Sequence, residues 1–328
     1  MAKLFIGMPV YNGERFIGQA LETLIHQTYT DWILLISDNN SQDGTADICR
    51  TYCKKDSRIC YIKQDTKLEV IYNFKFLLQS ANAPFFMWAA ADDEWEPQFL
   101  EACVHGLENN PDAGLAFCNI VNIDSFGQII REYPSFNMFV HEDPFACVAS
   151  YLLAPEYLGK ANLFYSVFRL ALLKDYLLQF ISSNFSNPFS DMSIILGIFC
   201  RSRFVLDDRV LFKKRVERQT DQLGKPDLIP TGLPYLNAWP KNEMDLYFND
   251  MRVFSADTPY VELVENILNY RTNLNQELLD FQTTNNVQPD SVVSTNILPI
   301  DKKNNILHKI KYTISAFMRT LRHIRRNL

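Results

Sequence analysis

Apolar residues in the first third of the chain come in short unbroken runs. Lys3–Met8, Trp32–Ser37, Ile59–Lys63 and Phe85–Ala90 each have strand length, and their continuity suits strands covered on both faces. Between them the spacing shifts to a helical period over Phe16–His26, Ala46–Tyr52 and Val70–Ala81. Strands alternating with helices in this way predict right-handed crossovers and an α/β fold with a mostly parallel, doubly wound, Rossmann-like sheet and helices on both faces. Ligands of such sheets gather beyond the carboxyl ends of the strands. Three polar loops fall on that edge: Pro9–Glu14, Asp38–Thr45 and Asp92–Glu94.

Further along, the pattern predicts a mixed topology. A helix over Pro97–Glu108 leads to a strand over Gly114–Asn119, then to a hairpin of Ile120–Asp124 and Gln128–Glu132 turned by Ser125-Phe126-Gly127. Helical spacing returns at Pro144–Leu153 and Ala171–Ile181, with a strand-like Asn162–Arg169 between them. An apolar helix over Met192–Cys200 follows, with Ser190 or Asp191 as its natural N-cap, and then two strands, Arg203–Leu206 and Val210–Lys213. Pro226, Pro230, Pro234 and Pro240 mark a tethering loop ahead of helices over Glu243–Phe254 and Tyr260–Phe281. Residues 282–305 are polar and read as a linker.

Chemistry enters at Asp92-Asp93-Glu94, three carboxylates directly after the apolar run Phe85–Ala91. One reading is a solvated loop or helix start, with Asp92 or Asp93 as N-cap and Glu94 as a first-turn charge. The other is a site for a hard divalent cation, Mg²⁺ or Mn²⁺, that keeps positions open for phosphate oxygens. Two further polar loops on the same sheet edge favour a site.

Composition adds exclusions. With 328 residues, 47% hydrophobic and 21% charged, the chain has a globular make-up and not a disordered one. The net charge of −6 is unevenly spread: residues 301–328 hold eight Lys and Arg against one acid, leaving 24 bases against 37 acids in the rest. So acidic a body argues against nucleic acid as a partner. Seven cysteines show neither CxxC pairs nor zinc spacing, which suits buried thiols in a reducing compartment. No signal peptide and no uncharged run of bilayer length is evident, so a cytoplasmic location is expected.

Four segments in series, Ile6-Gly7-Met8-Pro9-Val10-Tyr11-Asn12, Ile25-His26-Gln27-Thr28-Tyr29, Ile36-Ser37-Asp38-Asn39-Asn40-Ser41-Gln42-Asp43-Gly44-Thr45 and Ala91-Asp92-Asp93, resemble the successive signatures of the family 2 glycosyltransferases of GT-A fold. The resemblance covers roughly residues 4–220. It implies transfer of a sugar from a nucleotide-diphospho-sugar donor, a UDP-sugar or as second choice a dTDP-sugar, with inversion and a divalent metal. The acceptor would be a glycan or a lipid-linked molecule.

Carried over by motif position, Pro9, Val10 and Tyr11 would line the base pocket, Asp38 would accept from the base edge and Asn73 would border the nucleotide. Asp92 would face the ribose and the metal, and Asp93 would ligate the metal directly. Asp191 would be the base that takes the acceptor's proton. Each has a plainer reading as well: Tyr11 and Asp38 as turn and cap residues, Asn73 as a surface amide, Asp191 as a helix cap.

Several positions depart from the family pattern. Ala90 stands where an acid is common, Glu217 where a His is expected after the basic stretch Lys213-Lys214-Arg215, and Lys67-Leu68-Glu69 replaces an Asn-x-Gly turn. Because Glu69 adopts a positive φ far less readily than Gly, a differently built loop is expected there. Ala90 and Glu217 keep a non-catalytic nucleotide-sugar binder as the alternative. A sugar nucleotidyltransferase would need a glycine-rich phosphate loop, which Pro9–Gly13 lacks.

The resulting organisation is a catalytic domain over 1–222 (nucleotide-binding half 1–110, acceptor half 111–222), a Pro-rich loop and helical extension over 223–283, a linker over 284–304 and a basic amphipathic helix over 305–328. That last helix has Leu307, Ile310, Ile314, Phe317, Leu321 and Ile324 on one stripe. It reads either as a peripheral anchor on the inner face of a membrane or as a helix packed on the acidic body.

Overall fold

The computed structural model describes residues 2–154, 158–174, 190–216 and 241–284. The linker, the Pro-rich loop, Glu217 and the basic segment 305–328 lie outside the described residues, as does most of the helix expected over Ala171–Ile181.

Strands β1 (Leu4–Val10), β2 (Trp32–Asp38), β3 (Ile59–Lys63) and β4 (Phe85–Trp88) alternate with helices α1 (Ile17–Ile25), α2 (Thr45–Lys55) and α3 (Val70–Ser80). In α1, Ile17, Ala20, Leu21 and Leu24 are buried, the spacing that turns one helical stripe toward a sheet. The four strands run parallel, with Val10 beside Asp38 and Asp38 beside Lys63, so the carboxyl ends of β1, β2 and β3 finish level, while β4 ends at Trp88 opposite Gly7 and its loop emerges on the same edge.

Next come β5 (Glu94–Trp95), α4 (Phe99–Asn109), β6 (Ala113–Ile123), β7 (Ile129–Glu132) and α5 (Pro144–Leu153). Asp143 caps α5 by accepting from the Phe145 N–H, with Pro144 in the first turn where its missing N–H has no consequence. The described chain continues with β8 (Val167–Arg169), α6 (Ser190–Phe199), β9 (Arg203–Arg215), α7 (Lys241–Ser255) and α8 (Val261–Thr284).

Among the described residues the sheet order is β3-β2-β1-β4-β8-β6-β9-β5, with β7 on β6. Short β8 is antiparallel to both β4 and β6, whereas β9 runs parallel to β6 over its length. The mostly parallel α/β sheet expected from the sequence is thus the observed fold, with antiparallel β8 joining two parallel blocks and the short strands β5 and β7 added antiparallel to β9 and β6. Buried side chains of α7 and α8, among them Met244, Tyr247, Met251, Val264 and Ile267, belong to the same apolar core as the sheet. Among the described residues, no helix is long and apolar enough to cross a membrane.

Three elements differ from expectation. Asn162–Arg169 is not one strand: a 3₁₀ segment, Lys160–Tyr165, precedes a three-residue β8. Arg203–Leu206 and Val210–Lys213 are one strand, because Asp207, Asp208 and Arg209 sit at a bulge where Cys118 pairs Asp207 and Asn119 pairs Val210. Finally, Glu94 does not open a helix. It pairs with Lys213 as the start of β5, which ties the acidic loop to β9.

Gly114 marks the tightest approach in this layer. A Cβ there would stand 2.1 Å from Ser202 Oγ and 2.6 Å from Leu172 Cδ2. Gly114→Ala is therefore expected to destabilise the fold by about 1–3 kcal/mol, seen as a lower urea midpoint with an unchanged m-value.

Candidate active site

The first two loops at the carboxyl edge are built on two asparagines with left-handed backbone, Asn12 (φ 51°) and Asn40 (φ 64°), a conformation this residue type tolerates better than most. Hydrogen bonds zip the loops together. Asn12 N–H donates to Ser41 Oγ (2.8 Å), Gln42 N–H to Asn12 Oδ1 (2.9 Å), Gly13 N–H to Thr45 Oγ1 (2.8 Å) and Gly44 N–H to Glu14 Oε2 (2.6 Å). The result is a rigid wall for a cleft of about 460 Å³, which runs along Pro9–Phe16 and is closed by Asn39, Asn73, Phe74, Ala91 and Asp92.

Of the residues expected to meet a nucleotide, Pro9, Val10, Tyr11, Asn73 and Asp92 line this cleft. Tyr11 is 42% exposed, and Lys67 Nζ lies 3.7 Å from its ring centroid, so one face is already covered by a cation. Asn73 is buried and held by Ser37: Ser37 Oγ donates to its Oδ1 (2.5 Å) and its Nδ2 donates to the Ser37 carbonyl (3.0 Å).

Asp38 is not on the cleft wall. Wholly buried, it accepts from Ser41 N–H (2.7 Å) and from the Tyr61 hydroxyl (2.6 Å); burial first, and then this bond to Asp38, push the Tyr61 phenol up. From this loop Asn39 and Asp43 line the cleft, and Asn39 is the one next to Asp38. The Asn39 amide clasps Leu68, donating to the Leu68 carbonyl (2.9 Å) and accepting from its N–H (2.7 Å). Held this way, the loop before α3 leaves Glu69 extended at φ −60°, and no positive φ is needed.

At the third loop, Asp92 faces the cleft while Asp93 is shut behind it. Arg215 clamps this loop from β9. Its N–H donates to Asp93 Oδ1 (2.8 Å), its Nε to the Asp92 carbonyl (2.9 Å), its Nη1 to the Asp124 carbonyl (2.6 Å) and its Nη2 to Gln19 Oε1 (3.1 Å), and it pairs with Glu94. The guanidinium also rests 4.5 Å from the Phe16 ring centroid. The basic stretch therefore divides: Lys213 pairs outward with Glu96 (2.6 Å), Arg215 turns inward, and Lys214 stands 3.9 Å from Asp93 Oδ2.

Asp191 joins this group. It sits in the first turn of α6 and accepts from the N–H of the next residue, Met192 (2.7 Å), whereas an N-cap would reach two or three residues ahead. Burial raises its carboxyl to about 6, opposed by the Met192 N–H and by the positive charge of Lys214. Asp93 is raised to about 7, again by burial first, with Lys214 opposing and Asp92 adding to the rise. Half-buried Tyr165 lies within electrostatic range of Lys214, Asp93, Asp92 and Asp191 together, so the four charged groups share one neighbourhood. Tyr165 was not legible as a site residue, lying in an apolar segment without any polar pattern.

The resemblance implies a divalent cation here, and the donor set answers poorly to it. Ala90 supplies no carboxylate, and among the described residues no three His, Cys, Asp or Glu are grouped to share an ion. Asp93 Oδ2 is buried, makes no hydrogen bond and faces the Lys214 ammonium. A dication at that oxygen would be repelled by the ammonium beside it. As arranged, the residues do not fit a metal held directly by Asp93.

Comparison with known proteins gives this arrangement its context. The family described as glycosyl transferase family 2 matches residues 5–161. A putative glycosyltransferase EpsE of Bacillus subtilis is 27% identical over 148 residues, 44% of this chain and 53% of that protein. Campylobacter jejuni GalNAc(5)-diNAcBac-PP-undecaprenol beta-1,3-glucosyltransferase is 26% identical over 178 residues, 53% of this chain and 54% of that protein. The chain spans about half the length of these curated relatives. Among solved structures, S. aureus TarS 1-349 in complex with UDP-GlcNAc shares the fold at TM-score 0.57 and 16% identity, over 83% of this chain and 72% of that one.

Proposed function

We propose, from the premise that residues 5–161 of this chain belong to glycosyl transferase family 2 and adopt its GT-A fold, that the protein moves a sugar from a UDP-sugar to a hydroxyl of a glycan or lipid-linked acceptor with inversion. A dTDP-sugar is the second choice of donor. The observation that carries this reading is the gathering of Asp191 with Asp92, Asp93 and Lys214 around Tyr165, beside a preformed cleft lined by the first loop. The TarS structure with UDP-GlcNAc supports a uridine nucleotide, and the undecaprenol in the name of the C. jejuni relative supports a lipid carrier, which would bring the enzyme to a membrane surface.

In this mechanism the free face of Tyr11 and the amides of Asn39 and Asn73 receive the nucleotide, and Asp92 faces the ribose. Asp191 takes the proton of the acceptor hydroxyl as its oxygen attacks the sugar carbon opposite the departing diphosphate. Bond making on one face and breaking on the other inverts the centre in a single displacement. A raised carboxyl suits the task, because a base near neutrality holds a proton better than an ordinary carboxylate while still being ionised at pH 7.

The reading is tested by nucleotide release across UDP-, dTDP- and GDP-sugars offered with lipid-linked and free glycan acceptors. Acceptor-dependent UDP release is expected. Nucleotide binding without release from any donor and acceptor pair would favour the non-catalytic alternative.

A further inference from the structure

We propose that Lys214 is the cation that meets the donor's diphosphate, in the role a divalent metal has elsewhere in the family; the inference rests on the donor reading above. Three observations lead to it. First, of the three consecutive basic residues at the end of β9, Lys213 is engaged with Glu96 at 2.6 Å and Arg215 is buried in its clamp, whereas Lys214 hydrogen-bonds the Tyr165 side chain and has its facing carboxylate only at 3.9 Å, beyond hydrogen-bond reach.

Second, access is unequal. The Lys214 side chain is 28% exposed and that of Asp93 is 0% exposed, so the lysine keeps surface open to an incoming anion while the carboxylate offers none to an incoming cation. Third, the acid that a metal would need on the cleft side is missing: position 90 is alanine, and Ala90 and Ala91 line the cleft just before Asp92.

Together these make Asp93 the resting counter-ion of Lys214. The Tyr165 ring, 4.5 Å from Nζ, holds the ammonium on its other side. A lysine is a compact point charge with three donors, suited to phosphate oxygens that arrive in varied geometry.

During transfer the bond between the sugar carbon and the diphosphate oxygen breaks, with its electron pair going to the diphosphate. The acceptor oxygen bonds to the carbon, and its proton passes to Asp191. Lys214 stays protonated throughout and neutralises the charge that builds on the leaving group.

The test measures UDP affinity by calorimetry for the full chain and for Lys214→Gln, each in EDTA and in Mn²⁺, with Mn²⁺ uptake followed by electron paramagnetic resonance. The unaltered protein is expected to bind UDP in EDTA within about threefold of its affinity in Mn²⁺, and Lys214→Gln to lose about tenfold or more in EDTA. Neither protein should take up Mn²⁺ together with UDP, because the Asp93 carboxylate stays shut away and position 90 supplies no acid, and Mn²⁺ uptake by the unaltered protein would count against the inference. UDP binding by the unaltered protein only when Mn²⁺ is present would overturn the inference, as would equal affinity of both proteins in EDTA. Failure of the unaltered protein to bind UDP in either buffer would instead remove the donor reading, and this inference with it. Should Lys214→Gln not fold, the comparison of EDTA and Mn²⁺ on the unaltered protein decides alone.

Discussion

Replacing Asp191 by Asn is expected to lower kcat for sugar transfer by about 10²- to 10⁴-fold while leaving UDP affinity unchanged. An amide of the same shape can still accept from the Met192 N–H, so the start of α6 keeps its geometry and only proton acceptance is lost. The pH profile provides a second reading of the same group. The base must be ionised to act, so activity is present above its pKa and lost as pH falls through it. With the carboxyl raised to about 6, the acid limb of kcat/KM should bend near pH 6, where an ordinary aspartate would place it close to 4. The limb should be absent from whatever activity Asp191→Asn retains. Unaltered turnover in that variant would exclude Asp191 as the base.

A comparably large effect, on stability this time, is expected for Arg215→Met. The guanidinium holds two backbone carbonyls, a glutamine and Glu94 in a buried position, and methionine supplies none of those donors. Breaking one partner out of a buried ion pair typically costs about 3–5 kcal/mol, because the remaining groups stay desolvated and unpaired. Urea unfolding should show that loss, and UDP affinity should fall with it, since the Asp92 carbonyl and the 124 turn are no longer tied. Stability within about 1 kcal/mol of the unaltered chain would show that Arg215 is merely packed there.

How much of this could be read from the residues depends on whether the signal was local. The runs Leu4–Val10 and Trp32–Asp38 are apolar because helices cover both sheet faces, and continuous burial leaves a plain trace in sequence. The three loops at one edge followed from topology alone. Glu94-Trp95 was opaque, since two residues carry no period, and Asp207-Asp208-Arg209 imitates a turn while sitting in a bulge inside β9.

Asp38 and Asn39 show a finer limit. Adjacent residues on a strand end point to opposite sides, and which of them faces the cleft depends on Ser41 and Tyr61, not on residue type. The clamp of Arg215 and the neighbourhood of Tyr165 rest on contacts far apart in the chain, for which spacing holds no record.

That distance bears on how the protein comes to be made. The bond from Arg215 to Asp93 spans 122 residues. A ribosome therefore delivers β1 to β4, able to pair with one another in order, well before the strand that fixes the acidic loop. Until β9 slides in beside β6, Asp93 has no buried position to occupy and remains a hydrated carboxylate on an open edge. The candidate site is thus completed by β9, the last described strand of the sheet in chain order, and every residue of β1 to β4 is synthesised before the residue that ties down Asp93.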